Sequence, residues 1–442
     1  MPKNNRRACD KTVVALMVLL LALGLITLFS ATYYQKTATG DALAAVKKQL
    51  IGVALGAAAC VILSRVPYRL FREPRVMLLL LAVSAVLLIL VLIPGIGVSI
   101  NGSRRWLNFL GLSMQPSEFA KYAMVIFMAG ALDRRGEAIY SLFGGVAPLL
   151  LVPGLMFLLI LEQPNLSTGG SILLCALAML FCAGLRWRHI LLLGVSGTCL
   201  GAVYAWSAPY RRARILSFRD PFAKMSDEGY QLSQSLIALG SGGLFGMGLG
   251  QGRQKFAYLP YPESDFIFAI IGEDFGLVGC LTIVVLFALF VFAGLRVALR
   301  CRDRYGCLLA AGITSMIGLQ AFINMGVVTG ILPTTGLPLP FFSAGGTSVS
   351  MIMAAVGILL NISRENGRII KEQSGGTGHE AQETQKGRSA DHDDGVRGRH
   401  GFGAFDGAGQ QSGVRGAKHS GGRQPQSSQR GSRDPERRSD RR

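Results

Sequence analysis

Ten stretches of the 442-residue chain are apolar and long enough to cross a bilayer as helices: 13–33, 46–64, 76–95, 117–132, 143–161, 168–185, 189–206, 265–297, 307–329 and 345–363. A spanning helix needs about 20 residues of low polarity. The sequence therefore predicts an all-α polytopic membrane protein of about ten transmembrane helices. The mean hydropathy of +0.40 and a charged fraction of 16% fit that class, because ordinary soluble domains carry about 25% charged residues.

Charge sets the orientation. With the N-terminus inside, the short inner segments hold 16 Lys and Arg and the short outer segments five, the bias expected of cytoplasmic loops. Both termini are then cytoplasmic. Lys3, Arg6, Arg7 and Lys11 lead into the first span, whose apolar run exceeds the roughly 7–15 residues of a signal-peptide core, so it reads as an uncleaved anchor. The chain divides into a cytoplasmic N-terminus (1–12), a membrane domain (13–363) and a tail (364–442) rich in Gly, Ser, Gln and Arg. Too few aliphatic residues lie in the tail to offset its chain entropy, and it is expected to be a disordered basic cytoplasmic segment. One outer connection, 207–264 between the seventh and eighth spans, is far longer than the rest; such loops are usually functional or disordered.

Several classes are disfavoured. Loop and tail residues account for the net charge of +19, so no nucleic-acid partner is expected. The eight cysteines form no Cys-x-x-Cys and read as free thiols. His189 alone of five histidines precedes the tail, which leaves little for a histidine metal site or a catalytic triad. No phosphate-binding glycine motif occurs.

Charge is costly in a bilayer, so ionisable residues at span ends mark candidate sites. In Pro260-Tyr-Pro-Glu-Ser-Asp265, Asp265 falls where the long loop becomes the eighth span, with Ser264 placed to cap the helix. A carboxylate there can serve as a general base or simply open a helix. Glu118 and Lys121 in Gln115-Pro-Ser-Glu-Phe-Ala-Lys121 are neighbours on one helical face, either a self-neutralising pair or substrate contacts. Arg104, Arg105, Arg211, Arg212, Arg214, Arg253 and Lys255 lie outside and suit phosphate groups or lipid head groups. Gly240–Gly252 holds seven glycines in 13 residues, a hinge or a close-packing surface. Leu332–Ser348 is turn-rich yet apolar, as befits a loop held at membrane depth against protein; its hydroxyls, Ser343 among them, have no histidine partner. Glu273 and Asp274, deeper in the eighth span, read as partners of basic residues or as the lining of a polar cavity.

Six ordered motifs carry a resemblance: Gly102-Ser-Arg-Arg-Trp106, Gln115–Lys121, Gln163-Pro-Asn-Leu-Ser-Thr168, Gly229-Tyr-Gln-Leu-Ser-Gln-Ser-Leu236, Glu263-Ser-Asp-Phe-Ile-Phe268 and Leu332–Ser348. Over residues 12–363 the chain resembles the SEDS proteins (shape, elongation, division, sporulation), and within them the FtsW and SpoVE branch more than RodA. Ala344 stands where many relatives have tyrosine. The resemblance implies a peptidoglycan glycosyltransferase in the bacterial cytoplasmic membrane. It would polymerise lipid II, the undecaprenyl-pyrophosphate-linked disaccharide-pentapeptide, on the outer face during division or sporulation. Its partners would be a class B penicillin-binding protein transpeptidase and other divisome proteins. Asp265 aligns with the family's catalytic aspartate. Arg104, Arg105, Glu118, Lys121, Arg211, Arg212, Arg253, Lys255 and Ser343 are the substrate-binding candidates. No particular cofactor is implied, and a divalent cation at Asp265 and the diphosphate is compatible with the chemistry. The rival is a lipid II flippase, for which broken helices in paired repeats and polar residues near the midplane are expected. No inverted repeat is visible in the sequence, and the polar motifs cluster outside.

Overall fold

Every predicted span is a helix in the computed structural model, which describes residues 9–37, 43–100, 103–109, 112–207, 209–223, 229–254, 259–260 and 262–366. The first seven spans are α1 (Lys11–Thr37), α2 (Ala44–Leu63), α3 (Pro74–Leu90), α4 (Pro116–Arg135), α5 (Ala147–Leu161), α6 (Leu166–Cys182) and α7 (Trp187–Trp206). The long connection contributes α8 (Pro209–Arg219) and α9 (Tyr230–Ser241), and the last three spans lie in α10 (Ile267–Leu299), α11 (Arg304–Val328) and α12 (Gly346–Asn366). The predicted N-terminal segment before residue 9 and the tail beyond 366 lie outside the described residues.

Six of these helices are long and apolar enough to cross a bilayer, α5 when the helical turn that precedes it from Gly144 is included, and α3 and α6 are apolar but 17 residues long. α4 is less apolar because it opens with Glu118 and Lys121 and closes with Asp133, Arg134 and Arg135. Prolines begin α3 and α4, where the missing N–H removes no helical bond. α11 lies at the centre, packed against α4, α6 and α10, while α1 packs on α10 and α2. α7 touches α6 and α8 and leaves most of its apolar surface uncovered, as a lipid-facing helix does. All eight cysteines are free.

Between α3 and α4 the chain forms an antiparallel sheet of β1 (Gly97–Ile100), β2 (Ser103–Phe109) and β3 (Leu112–Met114), in that order. Ile100 pairs with Ser103 across Asn101-Gly102, a dipeptide that favours a tight hairpin.

The larger departure is in α10. Its backbone leaves the helical region at Gly276, with φ 69° and ψ −163°, and the chain folds back on itself there. Residues eight apart in a straight helix are separated by about 12 Å, yet a Cβ at Gly272 would lie 3.2 Å from Cys280 Sγ. The predicted eighth span is thus a short arm, 267–275, doubled against a spanning arm, 277–299. A break of this kind frees backbone groups that an apolar medium cannot satisfy. The glycine-rich segment satisfies them: Met247 and Gly248 N–H donate to the carbonyls of Glu273 and Asp274, and Leu277 and Val278 N–H donate to those of Gly243 and Leu244. Of the two readings of the sequence, the close-packing surface is the one the glycines fit: a Cβ at Gly246 would lie 2.2 Å from Asp274 O. At Gly276 a side chain would meet a second obstacle besides the positive φ, because its Cβ would lie 2.4 Å from Gly246 N.

At the opposite end of the bundle, Asp303 caps α11 through Gly306 N–H at 2.9 Å and also accepts the Tyr68 hydroxyl. Burial works against its ionisation, but the Tyr68 hydroxyl, the Gly306 N–H, the Cys301 thiol and the nearby Arg69 charge hold the carboxyl below its usual range. A carboxylate with a depressed folded value contributes stability that is complete above the unfolded value of about 3.9 and is lost as pH falls through the folded value. In detergent, melting temperature is expected to drop below about pH 4, and Asp303→Asn to remove part of that drop while costing about 1 kcal/mol at neutral pH. Gly276→Ala is expected to cost at least about 2 kcal/mol from the left-handed backbone and the clash, read as a lower melting temperature and a smaller folded fraction by size-exclusion chromatography.

Candidate active site

Asp265 lies immediately before Phe266, the N-cap of α10. Phe266 makes no side-chain cap bond, and the structure assigns no capping role to Ser264. Asp265 is half-buried. Its main-chain carbonyl accepts a hydrogen bond from Asn324 Nδ2 at 2.6 Å. Gly336, which is exposed, faces its carboxylate: a Cβ there would be 3.8 Å from Asp265 Oδ2. Because α10 doubles back at Gly276, Asp265 does not open the spanning arm. It starts the short arm, a helix of about 13 Å, and sits well below the Gly276 crest, beside α11.

The apolar loop 332–345 forms the other side of the site. Phe341 and Phe342 anchor it, packed on Phe290 and Phe287 with ring centroids 5.8 and 6.2 Å apart. Ala344 N–H donates to Glu263 O at 2.7 Å, which joins the loop to the approach to Asp265. Gln49 of α2 donates to Ser343 O at 3.2 Å and accepts from Gly345 N–H at 3.0 Å. The Ser343 hydroxyl accepts from Leu339 N–H at 2.7 Å and is buried; the structure uses it to close a turn. Thr347 ties α12 to β3 through Ser113 O at 2.8 Å.

Glu118 and Lys121 pair at 2.9 Å with side chains only 2% and 0% exposed. Lys121 Nζ also donates to Gln320 Oε1 at 2.6 Å, and Gln320 Nε2 donates to Pro338 O at 2.8 Å. Asn324, one turn along α11, donates to Leu337 O at 2.7 Å as well as to Asp265. A connected polar path therefore runs from the Glu118–Lys121 pair through α11 and the 332–345 loop to Asp265. Glu118 Oε2 is buried with no hydrogen-bond partner among the described residues.

The chain belongs to the FtsW/RodA/SpoVE family. The profile of that family of cell cycle proteins matches residues 10–368. Stage V sporulation protein E of Bacillus subtilis is 43% identical over 356 residues, 80% of this chain and 97% of the relative. A probable peptidoglycan glycosyltransferase FtsW of Geobacter metallireducens is 41% identical, covering 80% of this chain and 94% of the relative. Among solved structures, a chain from a study of polymerization and crosslinking by a peptidoglycan synthase complex superposes with a TM-score of 0.67 at 30% identity, covering 81% of this chain and 98% of the other. The rod shape determining protein RodA of Thermus thermophilus gives a TM-score of 0.58 at 28% identity, covering 82% and 99%.

Not every candidate of the sequence converges on Asp265. Arg105 on β2 donates from Nε to Gln163 O at 3.0 Å and from its terminal nitrogen to Pro164 O, fixing the sheet to the α5–α6 turn. Arg104, Arg212 and Arg253 are exposed. Arg211 belongs to α8, and its side chain, like that of Arg214, is outside the described residues, as is Lys255 altogether. Glu273 Oε1 accepts the main-chain N–H groups of Arg253 and Gln254 at 2.5 and 3.0 Å, and Asp274 accepts the Ser30 hydroxyl at 2.5 Å. The helix break that a transporter leaves open for ligands is closed here by the glycine-rich segment. Gln49, Gln320 and Asn324 were missed by the sequence reading, although an uncharged amide inside an otherwise apolar run is a usable signal.

Removing one member of a buried ion pair strands the other charge. Lys121→Met is expected to destabilise the protein by about 3–5 kcal/mol, and the double variant Lys121→Met with Glu118→Gln by less. Thermal unfolding of both variants in detergent checks the ordering.

Proposed function

We propose that this chain, a peptidoglycan glycosyltransferase of the FtsW/RodA/SpoVE family, polymerises lipid II with Asp265 as general base. The observation that carries the reading is the placement of Asp265: a half-buried carboxylate facing the exposed Gly336, with its main chain pinned from α11. The acceptor's 4-hydroxyl gives its proton to Asp265 as its oxygen attacks C1 of the donor muramyl sugar. The bond from C1 to the diphosphate oxygen breaks, undecaprenyl pyrophosphate leaves, and the anomeric centre inverts to give a β-1,4 link.

Negative charge grows on the leaving diphosphate and calls for cationic neighbours. Arg104, Arg212 and Arg253 are exposed for that task, and Arg211 and Lys255 join them on sequence grounds. Arg105, bonded to two main-chain carbonyls, holds the sheet, and the buried Glu118–Lys121 pair supports the site from beneath. Among the described residues no three His, Cys, Asp or Glu side chains converge on one point. A divalent cation at Asp265 would draw at least part of its coordination from the diphosphate and water.

The membrane is the bacterial cytoplasmic membrane, with both termini inside and Asp265 reached from outside, as the 16-to-five bias of basic loop residues supports. A class B penicillin-binding protein crosslinks the glycan as it forms.

Purified protein, co-expressed with its transpeptidase, is expected to convert labelled lipid II into glycan ladders, and Asp265→Asn to cut the rate at least about 100-fold without loss of folding. A folded Asp265→Asn protein that still makes ladders refutes the base assignment. A folded wild type that moves lipid II between leaflets and makes no ladder supports the flippase instead.

A further inference from the structure

We infer that Asn324 and Gln320 are positioning residues that set the gap between the Asp265 carboxylate and the loop opposite it. The inference rests on the reading of Asp265 as the base. The two amides sit one turn apart on one face of α11 and are buried. Their acceptors are main-chain carbonyls, which no rotamer change can move. Gln320 holds Pro338 and Asn324 holds Leu337, adjacent residues of the loop. The second N–H of Asn324 holds the carbonyl of Asp265 itself. Gly336, next to Leu337, is the residue facing Asp265 Oδ2. One side chain thus fixes both walls of the gap.

The orientation of each amide is forced. An ammonium can only donate, so Lys121 Nζ holds Gln320 Oε1 and turns the Gln320 amide nitrogen toward the loop. Asn324 turns its nitrogen to two carbonyls, and its Oδ1 is left buried with no hydrogen-bond partner among the described residues. A buried acceptor without a donor is destabilising. The buried Glu118–Lys121 pair acquires a purpose on the same grounds: Lys121 orients Gln320, and Glu118 neutralises Lys121.

The test is steady-state polymerisation of lipid II by the complex with its transpeptidase, for wild type, Asn324→Ala, Gln320→Ala, the double variant and Asp265→Asn, each with its folded fraction measured. Misplacing a catalytic group by about 1 Å costs about 100-fold. Asn324→Ala is expected to lower kcat by about that factor with little change in KM, and to shift the acidic limb of the pH–rate profile. Because both amides hold the same loop, the double variant is expected to fall little further than Asn324→Ala alone. An unchanged kcat, or a loss that follows the folded fraction with the pH profile unmoved, overturns the inference. If Asn324→Ala does not fold, Gln320→Ala, which removes one bond to the loop and the acceptor of Lys121 Nζ, gives the same reading. Activity retained by Asp265→Asn would overturn the base assignment on which the inference rests, a result distinct from failure of the tether alone.

Discussion

An apolar medium leaves no backbone polar group without a partner at low cost, and the Asp265 end of this molecule is arranged around one place where a helix violates that rule. At Gly276 α10 stops being helical and turns back. The carbonyls and N–H groups freed there are taken up by the glycine-rich segment, which can approach closely because it lacks side chains. Gly252 shows the same economy of space: a Cβ there would overlap the Glu273 carboxylate at 2.4 Å, the group that accepts the Arg253 and Gln254 N–H. The doubled helix places Asp265 beside α11 rather than at the mouth of a span, and the rest of the site follows from that position.

A second constraint is the cost of buried charge. Glu118 and Lys121 are almost fully enclosed, and such a pair is poor as a source of stability because both ions lose their water. Its geometry is instead tied to the α11 amides, and through them to the loop that faces Asp265. The aromatic anchors Phe341 and Phe342 hold the loop from its other end. Membership of the FtsW/RodA/SpoVE family and the similarity to solved proteins of peptidoglycan synthesis give this arrangement its chemical context.

Much of the fold was legible in the sequence because apolar runs of spanning length admit so few structures. The ten spans, an α4 opened by a carboxylate and an ammonium, and the apolar loop packed against protein all follow from local composition. The candidate site was legible in part. Asp265 and the Glu118–Lys121 pair announced themselves as charges next to apolar runs. Ser343 and Arg105 were singled out by the same logic, yet their polar atoms close a turn and bind carbonyls. Spacing along the chain does not distinguish a hydroxyl or guanidinium facing a substrate from one facing the protein.

By itself the sequence determined that the chain is a bundle of membrane helices and which residue types stand at the ends of the spans, because hydropathy and charge act locally. Only the tertiary structure decided that the eighth span doubles back, that Gln320 and Asn324 join the buried ion pair to the Asp265 main chain, and which arginines stay exposed. Those outcomes depend on partners distant in sequence: Asn324 lies 59 residues from Asp265, and Lys121 lies 199 from Gln320. No local pattern encodes a hydrogen bond between segments that meet only when the bundle has formed.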